Sequence, residues 1–283
     1  MISGRSVILG VIGDPIKHSF SPYLHNSVAS ELGINVCYVP FQVKSADLQD
    51  AVAGLKAMGI KGFNVTVPHK ERIIPLLDHC DADALAMGAV NTVVNKDGVL
   101  FGYNTDGKGF LYSLLNHHQV PIKDKHIVFL GAGGTAKALS YVCLQNQVSS
   151  ITIINRSLAK ASLLKEELLT LNLATDICVL QRDDLACIAA LSQADLVINV
   201  TSLGLSADDA LPFDSTDWFR ADQCLFDVIY NPKETRFLSL GRERGLKTIN
   251  GLTMLAAQAA YAFELFLDVD APMASFFNAL ESM

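Results

Sequence analysis

A glycine-rich segment near the middle of the chain has the spacing of a nucleotide-binding loop. Gly131, Gly133 and Ala136 form a G-x-G-x-x-A pattern directly after the apolar run 127–130 and open a helical stretch. The first glycine permits a tight turn, the second lets the backbone approach a pyrophosphate, and the alanine allows close helix–strand packing. The helix N-terminus adds unpaired N–H groups for an anion. The pattern therefore indicates a dinucleotide site, although packing alone also produces glycine-rich turns. That site comprises Gly131, Ala132, Gly133, Gly134, Thr135 and Ala136.

The residues after the next apolar run discriminate between the two nicotinamide dinucleotides. An NAD site usually carries Asp or Glu roughly 20 residues after the loop, where the carboxylate binds the ribose 2′-OH. This chain instead has Asn155-Arg156-Ser157, and Lys160 follows one helical turn later. A guanidinium binds a 2′-phosphate with two hydrogen bonds, whereas a carboxylate repels it. We therefore expect NADP, with a solvated surface position as the alternative for Arg156 and Lys160.

The N-terminal third concentrates hydroxyl and amide groups at predicted turns and strand ends. Ser19 and Ser21 lie near a helix start, and the Ser21-Pro22 pair predicts Ser21 as the N-cap. Ligand binding by the Ser21 hydroxyl is equally compatible. A strand predicted over 63–67 alternates strictly, so Asn64 and Thr66 share one face.

Four further polar residues have both an ordinary and a functional interpretation. Lys70 begins a predicted helix, where a lysine usually faces solvent, and Asn91 enters a strand, where it can cap a turn. Asp106 precedes a helix predicted over 108–115 and is a good N-cap for it. Gln258 interrupts an apolar helix face, which suggests a polar partner. Local sequence alone favours the structural roles.

Composition limits the class of protein. The chain has 283 residues, a formal net charge of −7, 50% hydrophobic and 18% charged residues. This predicts two folded domains and argues against disorder and against nucleic-acid or anionic-membrane partners. Spanning a bilayer takes roughly 18 apolar residues, and no run approaches that length. The six cysteines include no C-x-x-C motif, which predicts free thiols in a reducing compartment. The seven histidines include no H-E-x-x-H motif, which predicts that no metal is bound. No signal-peptide pattern is present, so we expect a cytoplasmic protein.

Strand-like and helix-like segments alternate along the chain, which predicts an α/β fold. After about residue 107, strand candidates at 127–130, 151–154, 177–180, 196–200, 225–229 and 246–249 predict a doubly wound parallel sheet. The apolar helix predicted over 254–267 fits no remaining strand, so we expect it to pack on the first domain. The predicted domains are 1–106 with 252–283, and 107–251.

A series of short motifs runs collinearly from about Gly10 to Gln258. They are Gly13-x-Pro15-Ile16-x-His18-Ser19-x-Ser21-Pro22-x-x-His25-Asn26, Asn64-Val65-Thr66-x-Pro68-x-Lys70, Gly88-Ala89-x-Asn91-Thr92, Asn104-Thr105-Asp106-Gly107, the glycine loop, Asn155-Arg156-Ser157, Asn199-Val200-Thr201-x-x-Gly204, Asp227-x-x-Tyr230-x-Pro232-x-x-Thr235 and Gly251-x-x-Met254-Leu255-x-x-Gln258. In this order they resemble the motifs of the shikimate dehydrogenase family, which includes quinate/shikimate dehydrogenases.

The resemblance implies a discontinuous N-terminal α/β substrate domain and a Rossmann-type doubly wound NADP domain. It implies reversible NADPH-dependent reduction of 3-dehydroshikimate to shikimate, a step of chorismate and aromatic amino-acid biosynthesis. Lys70 and Asp106 would stand at the reacting centre. The substrate would be bound by Ser19, Ser21, Thr66, Lys70, Asn91, Asp106, Tyr230 and Gln258. For the cofactor the resemblance adds Thr201, Ile229, Gly251 and Met254.

The implied chemistry suits these residues. Hydride addition to a ketone leaves negative charge on oxygen, which an adjacent cation or proton donor stabilises in the transition state. Lys70, held by Asp106, can serve as acid/base or only as an electrostatic clamp.

One alternative is a quinate/shikimate dehydrogenase with broader substrate or NAD use. Another is a non-catalytic NADP-sensing module, which needs Arg156 but not the lysine–aspartate pair. The fold permits a monomer or a homodimer, and the segment 205–214 can cover the cofactor.

Overall fold

The alternating apolar runs form two sheets, each flanked by helices. The computed structural model describes residues 2–171, 175–206, 211, 213 and 218–282. The chain divides into two units, one formed by Met1–Tyr112 with Leu255–Met283 and the other by Ser113–Met254. The first unit is therefore built from two separate stretches of sequence.

The first unit contains a mixed sheet with the strand order β2-β1-β3-β5-β6-β4. Its strands are β1 (Val7–Gly13), β2 (Val36–Gln42), β3 (Gly62–Val65), β4 (His79–Cys80), β5 (Thr92–Lys96) and β6 (Val99–Tyr103). Strand β1 pairs in parallel with β2 and β3, whereas β5 is antiparallel to both β3 and β6. Asp97 and Gly98 join β5 to β6 with φ of 53° and 86°, which is the turn that the Asp-Gly pair favours in a hairpin.

Helices cover this sheet and build the rest of the core. They are α1 (Ser21–Glu31), α2 (Leu48–Ala57), α3 (Ala82–Met87), α4 (Asp106–Leu111), α9 (Leu252–Leu267) and α10 (Met273–Glu281). The alanine-rich face of α9 packs with Leu24 and Val28 of α1 and with Phe276 of α10. Small side chains on α9 allow this close approach. The prediction that this helix packs on the first domain is confirmed.

The second unit contains a parallel sheet with the order β12-β11-β10-β7-β8-β9. Its strands are β7 (His126–Leu130), β8 (Ser150–Asn155), β9 (Asp176–Gln181), β10 (Leu196–Asn199), β11 (Cys224–Asp227) and β12 (Lys247–Ile249). Its helices are α5 (Gly134–Gln145), α6 (Leu158–Leu169), α7 (Ala186–Gln193) and α8 (Arg236–Glu243). This is the Rossmann strand order, so the predicted doubly wound sheet is confirmed.

Two local predictions at element ends are wrong. Ser21 does not cap α1: the N-cap position is Phe20, no side chain caps the helix, and Ser21 is its first residue. The N–H of Ser21, at the first helical position, donates to Ser19 Oγ at 3.3 Å. Strand β3 ends at Val65 rather than at residue 67, although the Thr66 N–H still bonds to the Ile12 carbonyl at 2.9 Å.

Candidate active site

A lysine and an aspartate form a largely buried ion pair in the first unit. Lys70 follows the turn after β3, and Asp106 begins α4. Lys70 Nζ lies 2.5 Å from Asp106 Oδ2, and the two side chains are only 13% and 8% exposed. Restricted access of water strengthens the interaction between the charges. An ammonium held in this way can stabilise developing negative charge or donate a proton.

Asp106 is not the N-cap of α4, so the prediction from local sequence is wrong. Thr105 occupies the N-cap position, without a capping bond from its side chain, and Asp106 is the first helical residue. Asn104 Oδ1 accepts the Asp106 N–H at 3.0 Å instead. The Asp106 carboxylate remains at the favourable end of the helix dipole but binds Lys70 and Asn91. Tertiary contacts therefore override the local preference.

Asn91 donates to the other carboxylate oxygen of Asp106 and connects it to helix α9. Its Nδ2 donates to Asp106 Oδ1 at 2.8 Å and to Thr105 Oγ1 at 3.0 Å. Its Oδ1 accepts the Thr105 N–H at 2.8 Å. Gln258 Oε1 lies 3.5 Å from both Asn91 Nδ2 and Thr105 Oγ1, so the polar partner expected for Gln258 is present. The fold thus brings Lys70, Asn91, Asp106 and Gln258 into one buried cluster.

Ser19, Ser21 and Thr66 also belong to the first unit. Ser21 is 8% exposed, and Ser19 and Thr66 are half-buried. Thr66 packs beside Gly13, where a Cβ atom would collide with the threonine methyl group. Among the hydrogen bonds of the described residues, none joins these hydroxyls to Lys70 or Asp106. Their part in substrate binding stays a prediction.

The predicted glycine loop lies at the carboxyl end of β7 and the N-terminus of α5. Gly131 has a φ of 115°, which favours glycine, and a Cβ there would lie 2.9 Å from Thr201 Cγ2. A Cβ on Gly133 would meet nothing within 4 Å, so the loop leaves open space on that side. No side chain caps α5, and Ala136 in its first turn is fully buried. The uncapped N–H groups and the open space fit a pyrophosphate.

A cavity opens beside this loop at the carboxyl edge of the parallel sheet. It is lined by Leu130, Gly131, Ile154, Asn155, Arg156, Arg182, Thr201, Ser202 and Leu203. These described residues include two arginines and no carboxylate. Ligands of parallel sheets of this kind bind at the carboxyl edge. Two positive charges around a cavity favour the binding of an anion. The residues present therefore fit the phosphorylated adenosine end of a dinucleotide.

The structure adds Arg182 to the predicted cofactor residues. Arg182 directly follows β9, its N–H donates to the Asn155 carbonyl at 3.2 Å, and its Nη2 donates to the Leu211 carbonyl at 2.8 Å. Asn155 Nδ2 also donates to the Ser157 carbonyl at 2.9 Å and shapes the turn into α6. Arg156 is exposed on this turn, and Lys160 is exposed in the first turn of α6. A position directly after a parallel strand is the sequence signal that could have identified Arg182.

The remaining predicted cofactor residues have contacts of their own. Thr201 Oγ1 donates to Asn199 Oδ1 at 2.7 Å. Packing favours glycine at position 251, because a Cβ atom on Gly251 would collide with the Val228 carbonyl. Ile229 and Met254 are 5% and 7% exposed. Contact of Ile229, Gly251 and Met254 with the cofactor stays a prediction.

Asp227 connects two of the family motifs through a buried hydrogen-bond cluster. Its carboxylate accepts from Asn199 Nδ2 at 3.0 Å, from Ile229 N at 3.0 Å and from Thr235 Oγ1 at 2.7 Å. Burial raises the pKa of Asp227 to about 6, although all three donors lower it. The cluster joins β10, β11 and the start of α8. Tyr230 lies on the following turn and is half-buried, and its role toward a substrate stays a prediction.

The described part of the chain shows neither a metal-ligand cluster nor a membrane-spanning helix. Within residues 2–171, 175–206, 211, 213 and 218–282, no group of three or more His, Cys, Asp or Glu is placed to hold a metal ion. Over the same ranges, no helix is both long and apolar enough to cross a bilayer. Of the segment 205–214, residues 207–210, 212 and 214 lie outside the described residues.

A dinucleotide-dependent oxidoreductase needs a sheet edge that binds the cofactor phosphates. It also needs a side chain that donates or accepts a proton, and this chain has both features. Residues 11–93 match the model of the shikimate dehydrogenase substrate binding domain. Residues 127–208 match the model of the saccharopine dehydrogenase NADP binding domain. A shikimate dehydrogenase (NADP(+)) from Moorella thermoacetica is 44% identical over 276 residues, which cover 96% of this chain and 92% of that protein.

Solved structures agree with this assignment. Shikimate 5-dehydrogenase from Listeria monocytogenes, in complex with shikimate and NAD, has a TM-score of 0.89 and 33% identity and covers 99% of this chain and 98% of its own. The enzyme from Thermus thermophilus, in complex with NADP(H) and shikimate, has a TM-score of 0.86 and 30% identity, with coverages of 98% and 99%. The chain belongs to the shikimate dehydrogenase family.

Proposed function

We propose that this chain catalyses the reversible NADP-dependent reduction of 3-dehydroshikimate to shikimate. The observation that carries the proposal is the buried pair in which Lys70 Nζ lies 2.5 Å from Asp106 Oδ2. A non-catalytic NADP-binding module has no need of such a pair, whereas ketone reduction requires a cation or acid beside the carbonyl oxygen. Membership of the family supports the substrate class.

Lys70 acts on the oxygen of the substrate. NADPH, when bound, supplies the hydride that adds to the carbonyl carbon. The electron pair of the C=O bond moves to the oxygen, and the Lys70 ammonium stabilises the charge and gives this oxygen a proton. Asp106 holds Nζ in position throughout, and solvent returns the proton to Lys70. In the reverse direction neutral Lys70 accepts the hydroxyl proton.

The substrate carboxylate and hydroxyls need matched polar partners. The hydroxyls of Ser19 and Ser21 suit the carboxylate, because it accepts O–H donors without an arginine. Asn91 and Gln258, whose side chains meet in the buried cluster, suit the ring hydroxyls. A site that hydrogen-bonds each hydroxyl rejects compounds that lack one, since its buried groups are then unpaired. Thr66 and Tyr230 complete the proposed set.

The cofactor is assigned to the second unit. Gly131–Ala136 and the uncapped start of α5 would hold the pyrophosphate. Arg156, at the rim of the positively charged cavity, would bind the 2′-phosphate and select NADP over NAD. Free cysteines are consistent with the proposed cytoplasmic location.

The test is an activity screen of the purified protein with shikimate or quinate and with NADP or NAD. We expect shikimate with NADP to give the highest kcat/KM, by at least about tenfold over each other pair. Preference for quinate or NAD would establish the broader quinate/shikimate alternative. Cofactor binding without turnover of either substrate would contradict the enzymatic proposal and establish the sensing module.

A further inference from the structure

A chain of buried hydrogen bonds leads from Tyr38, on β2, to Asp106. Tyr38 donates its hydroxyl proton to Asn64 Oδ1 at 2.8 Å. Asn64 Nδ2 donates to Thr92 Oγ1 at 3.1 Å, and Thr92 donates to Asn91 Oδ1 at 2.9 Å. Asn91 Nδ2 then donates to Asp106 Oδ1 at 2.8 Å. The tyrosine hydroxyl is thus connected to the carboxylate that holds Lys70.

Each link in this chain has a defined direction. A carboxylate only accepts hydrogen bonds, so Asn91 must turn its NH₂ group toward Asp106 and its carbonyl toward Thr92. The single O–H of Thr92 is then donated to Asn91, and Thr92 can only accept from Asn64. The Asn64 carbonyl is left facing Tyr38, whose phenol is the donor that it requires.

Burial prevents water from replacing a lost link easily. Tyr38, Asn64, Asn91 and Thr92 are 1%, 6%, 3% and 0% exposed. A buried acceptor that loses its donor retains its desolvation penalty. Because linked hydrogen bonds polarise one another, a change at Tyr38 weakens the donation from Asn91 to Asp106.

His25 and Asn26, which belong to the first family motif, fix Tyr38 in place. Asn26 binds the Tyr38 backbone on both sides, accepting from its N–H at 2.9 Å and donating to its carbonyl at 2.8 Å. The His25 ring stacks on the phenol with centroids 4.3 Å apart and an angle of 6°. Among the described residues, neither ring nitrogen of His25 has a hydrogen-bond partner, so His25 acts here as an aromatic surface.

We infer that Tyr38 is a positioning residue for the Lys70–Asp106 pair and acts through Asn64, Thr92 and Asn91. The inference deepens the proposed function and rests on it, because the pair is the group positioned for catalysis. It also assigns a role to His25 and Asn26, which hold Tyr38 in place and need not contact the substrate or the cofactor.

The test compares the Tyr38→Phe, Thr92→Val and double variants with the wild type. Tyr38→Phe keeps the stacked ring, and Thr92→Val keeps the shape of the side chain. We expect each single variant to lower kcat with shikimate about tenfold and to leave the KM for NADP within about twofold. Because both substitutions break the same chain of hydrogen bonds, the kcat of the double variant should be no lower than that of the slower single variant.

Tyr141→Phe is the matched control, because Tyr141 is a buried tyrosine on α5 of the second unit. It should retain wild-type kcat. A Tyr38→Phe enzyme with wild-type kcat, or a double variant whose losses multiply, would overturn the inference.

A readout independent of turnover separates this inference from the proposed function. The Asn91 side-chain amide signal in a ¹H–¹⁵N spectrum can be identified by its disappearance in Asn91→Asp. We expect Tyr38→Phe to shift this signal and Tyr141→Phe to leave it in place. If the wild type turns over no shikimate, the proposed function fails. The Asn91 signal of Tyr38→Phe then still tests the network, and an unshifted signal overturns it.

Discussion

Lys70 and Asp106 are 36 residues apart in the sequence, yet Nζ and Oδ2 lie 2.5 Å apart. The register of the first sheet produces this approach. Thr92 of β5 lies opposite Asn64 of β3 on one side and Tyr103 of β6 on the other. The ends of β3 and β6 are therefore aligned, and the lysine that follows one strand meets the aspartate that follows the other.

Asp106→Asn should lower kcat with shikimate by about 100-fold, because the ammonium of Lys70 loses its counter-charge and its fixed position. The measurement is steady-state turnover at saturating NADP. Asp78→Asn is the control, since Asp78 pairs with Lys56 at 2.8 Å on the surface of the same unit. Equal effects of the two substitutions would be inconsistent with a catalytic pair.

Arg156→Gln should raise the KM for NADP by about 10- to 100-fold and leave the KM for NAD nearly unchanged, because only NADP carries the 2′-phosphate. Initial rates over a range of each cofactor measure this difference. Arg242→Gln, which removes an exposed arginine paired with Glu234, should affect neither KM. A parallel loss of both cofactors in Arg156→Gln would exclude a role in phosphate selection.

Gly133→Ala and Gly251→Ala should have opposite effects. The Gly133 backbone, with φ of −101°, accepts alanine, and its added methyl group enters open space. We expect unchanged or slightly increased stability, by up to about 1 kcal/mol, with a cofactor KM about tenfold higher. At Gly251 the methyl group would collide with the Val228 carbonyl, so the free energy of unfolding should fall by roughly 1–3 kcal/mol. Urea unfolding and cofactor titration of both variants test the contrast, and similar behaviour of the two would refute it.

The second sheet was predictable because each of its strands is a short apolar run with a helical stretch beside it. The Gly131 loop was recognisable for the same reason: its chemistry is local, and three residues at fixed spacing encode a turn, a phosphate approach and a packing contact. Arg182 belongs to no such motif. Only its position directly after β9 marks it, and its approach to Asn155 depends on β9 lying beside β8.

The cluster around Asp106 was predictable only through resemblance to a family. Considered locally, Asp106 is a good helix cap and Lys70 a surface lysine. The contacts that decide their roles come from Asn91 and Gln258, the latter far along the chain in α9. Helix capping was mispredicted at Ser21 because the helix begins one residue earlier than expected, with Phe20 at the N-cap position.

The buried His25 should make the fold sensitive to moderate acid. Burial lowers the pKa of His25 to about 3 from 6.5, so below pH 6.5 the unfolded chain binds a proton that the folded chain does not. Stability is therefore lost as the pH falls through this window, by about 2 kcal/mol between pH 7 and pH 5. His25→Phe, which keeps an aromatic ring against Tyr38, should lack this contribution. Urea unfolding at both pH values measures the difference, and identical pH dependence of the two proteins would contradict it.

The kcat of Lys70→Ala with shikimate and NADP tests the central claim most directly. Lys56→Ala provides the comparison, because Lys56 is also paired with an aspartate of the first unit but is 38% exposed. We predict a loss of at least about 100-fold for Lys70→Ala, with unchanged KM for NADP, and near wild-type turnover for Lys56→Ala. Near wild-type turnover of a correctly folded Lys70→Ala enzyme would contradict the assignment of Lys70 to the reacting centre.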